Sequence, residues 1–248
     1  MRERRMDSSS SSSSSYSDKY RSFIHGESEK DTVWRTGAPP NYDVVNKLFE
    51  EGRTKEWPVG SVEERVQRLV KSWEMELFHK ANMEDYKTLN PHKFTLCVNG
   101  RPGFNLGDLK QLGGSYNALL QTSLPKELRC YDPVEETMET SHDAFTMTFP
   151  RGFALEILQV YTGPPEIIYK FRHWGYMEGP FKGRPPSGGL VEVFGLAIFT
   201  VDEVMRIEKV EFFYDRGELL GGLLRESPSD DGLNEGSAPS GCPFMNNV

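Results

Sequence analysis

The residues best suited to chemistry gather in the last third of the 248-residue chain. Asp215 closes the apolar run MRIEKVEFFYD, and His173 sits inside FRHWGY. If Asp215 points into an apolar interior, period-2 alternation puts Phe213, Glu211, Lys209 and Ile207 on the same face until a bulge intervenes. Burial disfavours a charged carboxylate and raises its pKa, which makes it a usable general acid or base near neutral pH. Removing a proton α to a carbonyl is the reaction such a group would serve. The alternative is a strand-end Asp that caps the turn before Arg216-Gly217 by accepting backbone N–H bonds. His173 could relay protons, since imidazole titrates near neutrality, or it could be a satisfied structural residue among aromatic neighbours. Trp174 and Tyr176 share the face opposite His173, so one set lines any pocket and the other looks outward. Asp215 and His173 are therefore the candidate catalytic residues. Trp73, Tyr176, Met177, Glu211 and Phe213 are the candidate pocket lining.

Other chemistries find no foothold. The Gly/Pro-rich stretch 177–189 is a lid or a wide turn and not a phosphate cradle, because GxGxxG and GxxxxGK[ST] are both missing. GxSxG, HExxH and paired His/Cys spacings are absent too, so neither metal nor cofactor is expected. Net charge is −8, which speaks against a nucleic-acid partner. Cys97, Cys130 and Cys242 show no CxxC pairing, which suits buried or inert thiols in a reducing compartment. No stretch approaches the roughly 20 apolar residues of a membrane span, so a cytoplasmic location is expected.

The elements that must position these residues are legible from periodicity. Residues 1–18 and 226–248 read as disordered tails around one globular region, 19–225, whose first part, 19–60, forms an arm. Asn41 can cap a short helix ending near Gly52. Ser61 and Glu64 form a capping box ahead of Val66, Leu69, Val70, Trp73, Leu77 and Phe78 at helical spacing, a stripe that reads as core. A weak strand at 93–98 precedes an Asn99-Gly100 turn. A helix over 106–120 is kinked at Gly113-Gly114, and another spans 141–149, stopping at Pro150. Strands are predicted at 153–161, 166–176, 190–200 and 206–215. Helices first and an antiparallel sheet afterwards means an α+β fold.

The runs GYMEGPFKGRPPSGG, VEVFGLAIF and MRIEKVEFFYDRGELLGGL resemble the closing half of SnoaL-like proteins, in which a Gly-rich loop, a strand with a central Gly and a DxxGLL-type ending recur. Gly175, Gly179, Phe181, Gly183, Pro186, Gly188, Gly195, Ile207, Asp215, Leu219 and Leu220 fall in register. A longer likeness, through SFIHGESEKDTVWRTGAPPNYDVVNKLFEEGRTKEWP, the Trp73 helix and FRHWGYMEGPFKG, is to the plant pathogen-related protein family. The resemblance implies a nuclear transport factor 2-like cone: a curved antiparallel sheet wrapped around three helices, with an internal pocket. It implies a defence-related protein holding a small apolar metabolite. The alternatives it leaves are a cofactor-free isomerase or cyclase using Asp215, and a non-catalytic scaffold. A homodimer or biosynthetic enzymes would be the protein partners. Of the cyclases' acid/base groups only Asp215 carries over; Met177, Gly189, Lys209 and Glu211 stand where the family pattern has His, Arg, an acid and Trp.

Overall fold

The computed structural model describes residues 18–225. Both expected tails, apart from Asp18, lie outside the described residues, as does Cys242. The architecture is the expected α+β cone, among the described residues a five-stranded curved sheet with six α-helices.

The first helices follow their local signals. α1 spans Asp43–Gly52, with Asn41 Oδ1 accepting from the Asp43 N–H at 2.7 Å. α2 spans Val62–His79. Ser61 Oγ caps it by accepting from Glu64 N at 3.1 Å, while the Glu64 carboxylate reaches back to the Gly60 N–H. Val66, Val70, Trp73 and Leu77 are buried along one face of α2, where the Trp73 ring meets Phe199 at 5.3 Å and Phe212 at 6.0 Å. Each such side chain contributes about 1.5–3 kcal/mol by leaving water.

β1, Thr95–Val98, ends in the Asn99-Gly100 turn, where both residues take positive φ (50° and 72°). The 106–120 segment breaks where Gly113 and Gly114 enter the left-handed region, at φ 85° and 97°. It yields α3, Leu106–Gln111, and α4, Ser115–Leu119. α5, Met138–Thr148, starts earlier than periodicity suggested because Thr137 and Thr140 form a reciprocal capping box. Asn117 fastens these pieces: its Nδ2 donates to the Leu112 and Glu136 carbonyls, and its Oδ1 accepts from Tyr131 Oη at 2.6 Å.

The remaining strands are β2 (Ala154–Thr162), β3 (Glu166–Tyr176), β4 (Leu190–Val201) and β5 (Ile207–Tyr214). Sheet order is β1-β5-β4-β3-β2, antiparallel except that β1 runs parallel to β5. The parallel pairing brings an early segment beside the last strand, which a sequential reading does not foresee. Register shifts within β2/β3 and between β4 and β5 add unpaired residues that bend the sheet.

α6, Arg216–Leu224, was not anticipated, because Gly221 and Gly222 weaken its helical signal. Packing overrides propensity here. Leu220 and Leu223 join Phe149, Met177 and Val191 in a buried cluster. A Cβ on Gly222 would lie 2.9 Å from Val191 Cγ1, so only glycine allows this approach.

The arm is tied down by a buried ionic knot. Lys80 Nζ donates to Glu29 Oε2 (2.7 Å), Glu76 Oε1 (2.9 Å) and the Asp85 carbonyl (3.0 Å). Around it Ile24 and Trp34 pack on Met75.

Candidate functional site

A cavity of about 480 Å³ opens inside the cone. Four parts of the fold build its wall. The inner face of the sheet supplies Phe171, His173, Val193, Phe212 and Tyr214. α2 supplies Trp73, Glu74, Leu77, Phe78 and His79, and α4 with α5 supplies Tyr116, Leu119, His142 and Phe145, followed by Phe149 just past the end of α5. Arg21, Tyr42, Val44 and Val45 from the arm and α1 complete it. The lining is rich in aromatic rings: Tyr116 stacks on Phe145 at 4.4 Å, and Phe171 meets Phe212 edge-on at 5.6 Å.

The strand register decides which side chains reach this space. On β5 the inward set is Val210, Phe212 and Tyr214, with Phe213 left 42% exposed on the outer face. The shift between Thr200↔Lys209 and Val201↔Ile207 inserts a residue, so Ile207 and Val210 are both buried. The alternation expected through Ile207, Lys209, Glu211, Phe213 and Asp215 is thereby out of phase after Ile207. Glu211 instead pairs with Lys209 at 2.8 Å, off the cavity.

Asp215 is also off the cavity. It is exposed, and its Oδ1 accepts from the Gly217 N–H at 2.6 Å as the N-cap of α6. Tyr176 lies on the opposite face of β3 from His173, under the Arg151 guanidinium at 4.6 Å. Met177 is fully buried among Phe149, Phe181 and Val191, where its backbone pairs with Gly188 and Gly189. None of these three lines the cavity. Trp73 and His173 do. Trp174 is buried on the outer side, against Phe49 of α1.

One residue that the sequence reading passed over stands in the wall: Glu74. Its Oε1 lies 3.3 Å from His173 Nε2, and it is the only Asp or Glu lining the cavity among the described residues. A signal existed. Val70, Trp73, Glu74 and Leu77 are spaced i, i+3, i+4, i+7, so Glu74 is an acid set within the apolar stripe.

Other ionisable groups are strongly perturbed. Burial, with His142 and two arginines adding to it, lowers His79 to a pKa of about 4. Burial lowers His142 as well, and it raises the phenols of Tyr42, Tyr116 and Tyr214 above their ordinary range. Tyr214 Oη donates to the Leu119 carbonyl at 2.5 Å. Lys71 is 1% exposed, with Nζ 3.1 Å from the Phe49 ring centroid, and burial holds it well below the usual lysine range. Among the described residues no cluster of three or more His, Cys, Asp or Glu is placed to hold a metal ion, and no helix is long and apolar enough to cross a membrane.

No family model matches the sequence. A "Pathogen-related protein" of Hordeum vulgare is 55% identical over 230 residues, covering 92% of this chain and 95% of that protein. Among solved structures, a Jannaschia protein described as a SnoaL-like polyketide cyclase is 18% identical over 55% of this chain and 73% of its own, with a TM-score of 0.32. A protein of Acidithiobacillus ferrooxidans described as a polyketide cyclase is 13% identical over 67% and 97%, with a TM-score of 0.40.

Proposed function

The chain belongs to the pathogen-related protein family of plants, and on that footing we propose that it is a defence-associated protein that holds a small, largely apolar metabolite inside its cone. The cavity carries this reading. Its volume of about 480 Å³ falls within the roughly 300–1,000 Å³ of small-molecule sites. Aromatic and aliphatic side chains make up most of its wall, with polar groups such as Glu74 and His173 set among them, the composition that takes up an apolar ligand and orients it through a small number of contacts. No proton-transfer role is assigned to Asp215, whose carboxylate is engaged in capping α6 outside the cavity.

Native mass spectrometry of protein purified from plant-cell extract tests the proposal. Wild-type protein is expected to carry a recurrent small molecule. Val193 is buried and lines the cavity, so Val193→Trp fills the space from the sheet side. That variant is expected to lose the adduct while its far-UV circular dichroism stays unchanged. An adduct that persists in a folded Val193→Trp, or a wild-type protein that carries none, would refute the reading.

A further inference from the structure

His173 is held in one tautomer by its surroundings. Its Nδ1 is buried with no hydrogen-bond partner among the described residues, and the ring stacks on Phe153 at 5.5 Å and 11°. A proton on Nδ1 would be a buried donor without an acceptor, and folded proteins leave buried N–H groups orphaned more rarely than acceptors. The proton of the neutral ring therefore sits on Nε2, which faces Glu74 Oε1 at 3.3 Å. So arranged, the His173 ring stands against the Glu74 carboxylate in a close polar contact, longer than an ordinary hydrogen bond, that restricts where the carboxylate can lie. Glu74 is left as the cavity's acceptor, with lone pairs to spare for a ligand.

The charges around Glu74 narrow what that ligand is. Arg21, Lys71 and Arg151 also line the cavity, against this single carboxylate. Arg21 lies 3.6 Å from Asp18 and stacks on Tyr42 at 3.6 Å, and Arg151 is paired with Glu178 at 2.7 Å. Arg21 and Arg151 are thus engaged by carboxylates of their own and Lys71 lies over the Phe49 ring, so an anionic ligand would meet Glu74 with no unpaired arginine to offset it, and a cationic one would meet basic side chains on the other walls. A neutral hydrogen-bond donor meets neither penalty. Trp73, Phe212 and Phe171 form a continuous aromatic wall, at 6.0 and 5.6 Å between successive ring centroids, which leads to His173 at 5.6 Å. These rings meet at 42°, 82° and 80°, so the wall offers both ring faces and ring edges, the two surfaces against which another aromatic ring packs.

We propose that the cavity selects a neutral planar aromatic compound bearing a hydroxyl, whose O–H donates to the Glu74 carboxylate while His173 positions that carboxylate. This rests on the binding reading above and adds the recognition group and the ligand class. Neither Glu74 nor His173 needs to react for this. The hydrogen bond is charge-assisted, and its loss is expected to cost about 10- to 100-fold in affinity.

The test uses the full chain and two probes sharing one ring system, 2-naphthol and naphthalene, each titrated by equilibrium dialysis. Wild type is expected to prefer 2-naphthol by about 10- to 100-fold. Glu74→Leu is expected to bind naphthalene undiminished and to bring the preference close to one. Glu74→Gln keeps an acceptor without the charge and is expected to fall between, which keeps the proposal testable if the leucine variant fails to fold. His173→Phe is expected to reduce the preference, and His173→Gln, whose amide can donate from a similar position, to restore part of it. A purely structural role for His173 would change both affinities together and leave their ratio alone, which would overturn its positioning role. Equal wild-type binding of the two probes, or a preference retained in Glu74→Leu, overturns the assignment of Glu74 and leaves the cavity reading standing. Wild-type protein that binds neither probe overturns both.

Discussion

Replacing Lys80 by methionine removes the cation that two buried carboxylates share. Lys80 and Glu76 are fully buried and Glu29 is 5% exposed, so solvent cannot take over the neutralisation. Glu76 keeps other donors, the N–H groups of Lys87 and Thr88 and the Thr88 hydroxyl at 2.5 Å. Glu29 keeps only hydroxyl donors, Thr32 at 2.9 Å and Ser28 at 3.2 Å. Methionine preserves the stem's volume, so the cost is electrostatic. Breaking a buried pair by removing one partner costs about 3–5 kcal/mol, a large part of the roughly 5–15 kcal/mol that holds an ordinary domain folded. At about 2–4 °C per kcal/mol for a chain of this size, Lys80→Met should lower Tm by about 6–20 °C.

The knot joins the arm to α2, and the arm supplies Arg21, Asn41 and Tyr42 to the cavity wall. Ligand uptake should therefore weaken before the sheet unfolds. Differential scanning calorimetry alongside tryptophan emission reads both events. The double change Glu29→Gln with Lys80→Met removes the less well supported of the two stranded charges and should be more stable than Lys80→Met alone. A Lys80→Met melting within about 3 °C of wild type would refute the reasoning, because no buried uncompensated carboxylate is that cheap.

Other perturbations report on the cavity directly. A Cβ at Gly195 would lie 2.5 Å from Phe171 Cζ and 2.8 Å from the Phe213 carbonyl, so Gly195→Ala should cost about 1–3 kcal/mol in urea unfolding and shrink ligand uptake. Adding Phe171→Leu should recover part of the lost stability; no recovery would mean that the ring is not the obstacle. Asp215→Ala should cost about 0.5–2 kcal/mol through the lost α6 cap and leave ligand uptake unchanged, and any loss of uptake in the folded variant would contradict its placement. His79 folds in its neutral form, its pKa lowered from 6.5 to about 4, so the unfolded chain binds the proton first. The stability it confers is complete above pH 6.5 and drains away as pH falls towards 4, by roughly 3 kcal/mol in all. His79→Phe should flatten that acid limb in pH-dependent urea titrations, and an unchanged slope would show that other groups carry it.

Much of this molecule follows from short-range chemistry written in the chain. Ser61 with Glu64, Asn99-Gly100 and Gly113-Gly114 place a helix start, a turn and a break through bonds and φ values settled within a few residues. The long runs around Trp34, Trp73 and His173 carry the family likeness, and with it the α+β cone. The site was less legible. Trp73 and His173 could be named from sequence, yet their neighbours on β5 could not. VEFFY offers Phe212, Phe213 and Tyr214 in succession, and alternation alone does not say which phase faces inward.

The bulge opposite Thr200–Val201 sets that phase, and it exists only because β4 and β5 pair. The same holds for Glu74 and His173: one stands on a helix, the other on a strand, and folding alone brings their side chains within 3.3 Å. Asp215 illustrates the converse, since the sequence left both a buried acid and a turn cap open. Only the packing of α6 against β4 made it a cap on the surface. Local patterns determine elements because their interactions span one turn or one hairpin. Faces, registers and partners depend on contacts between distant segments, and those the tertiary structure decided.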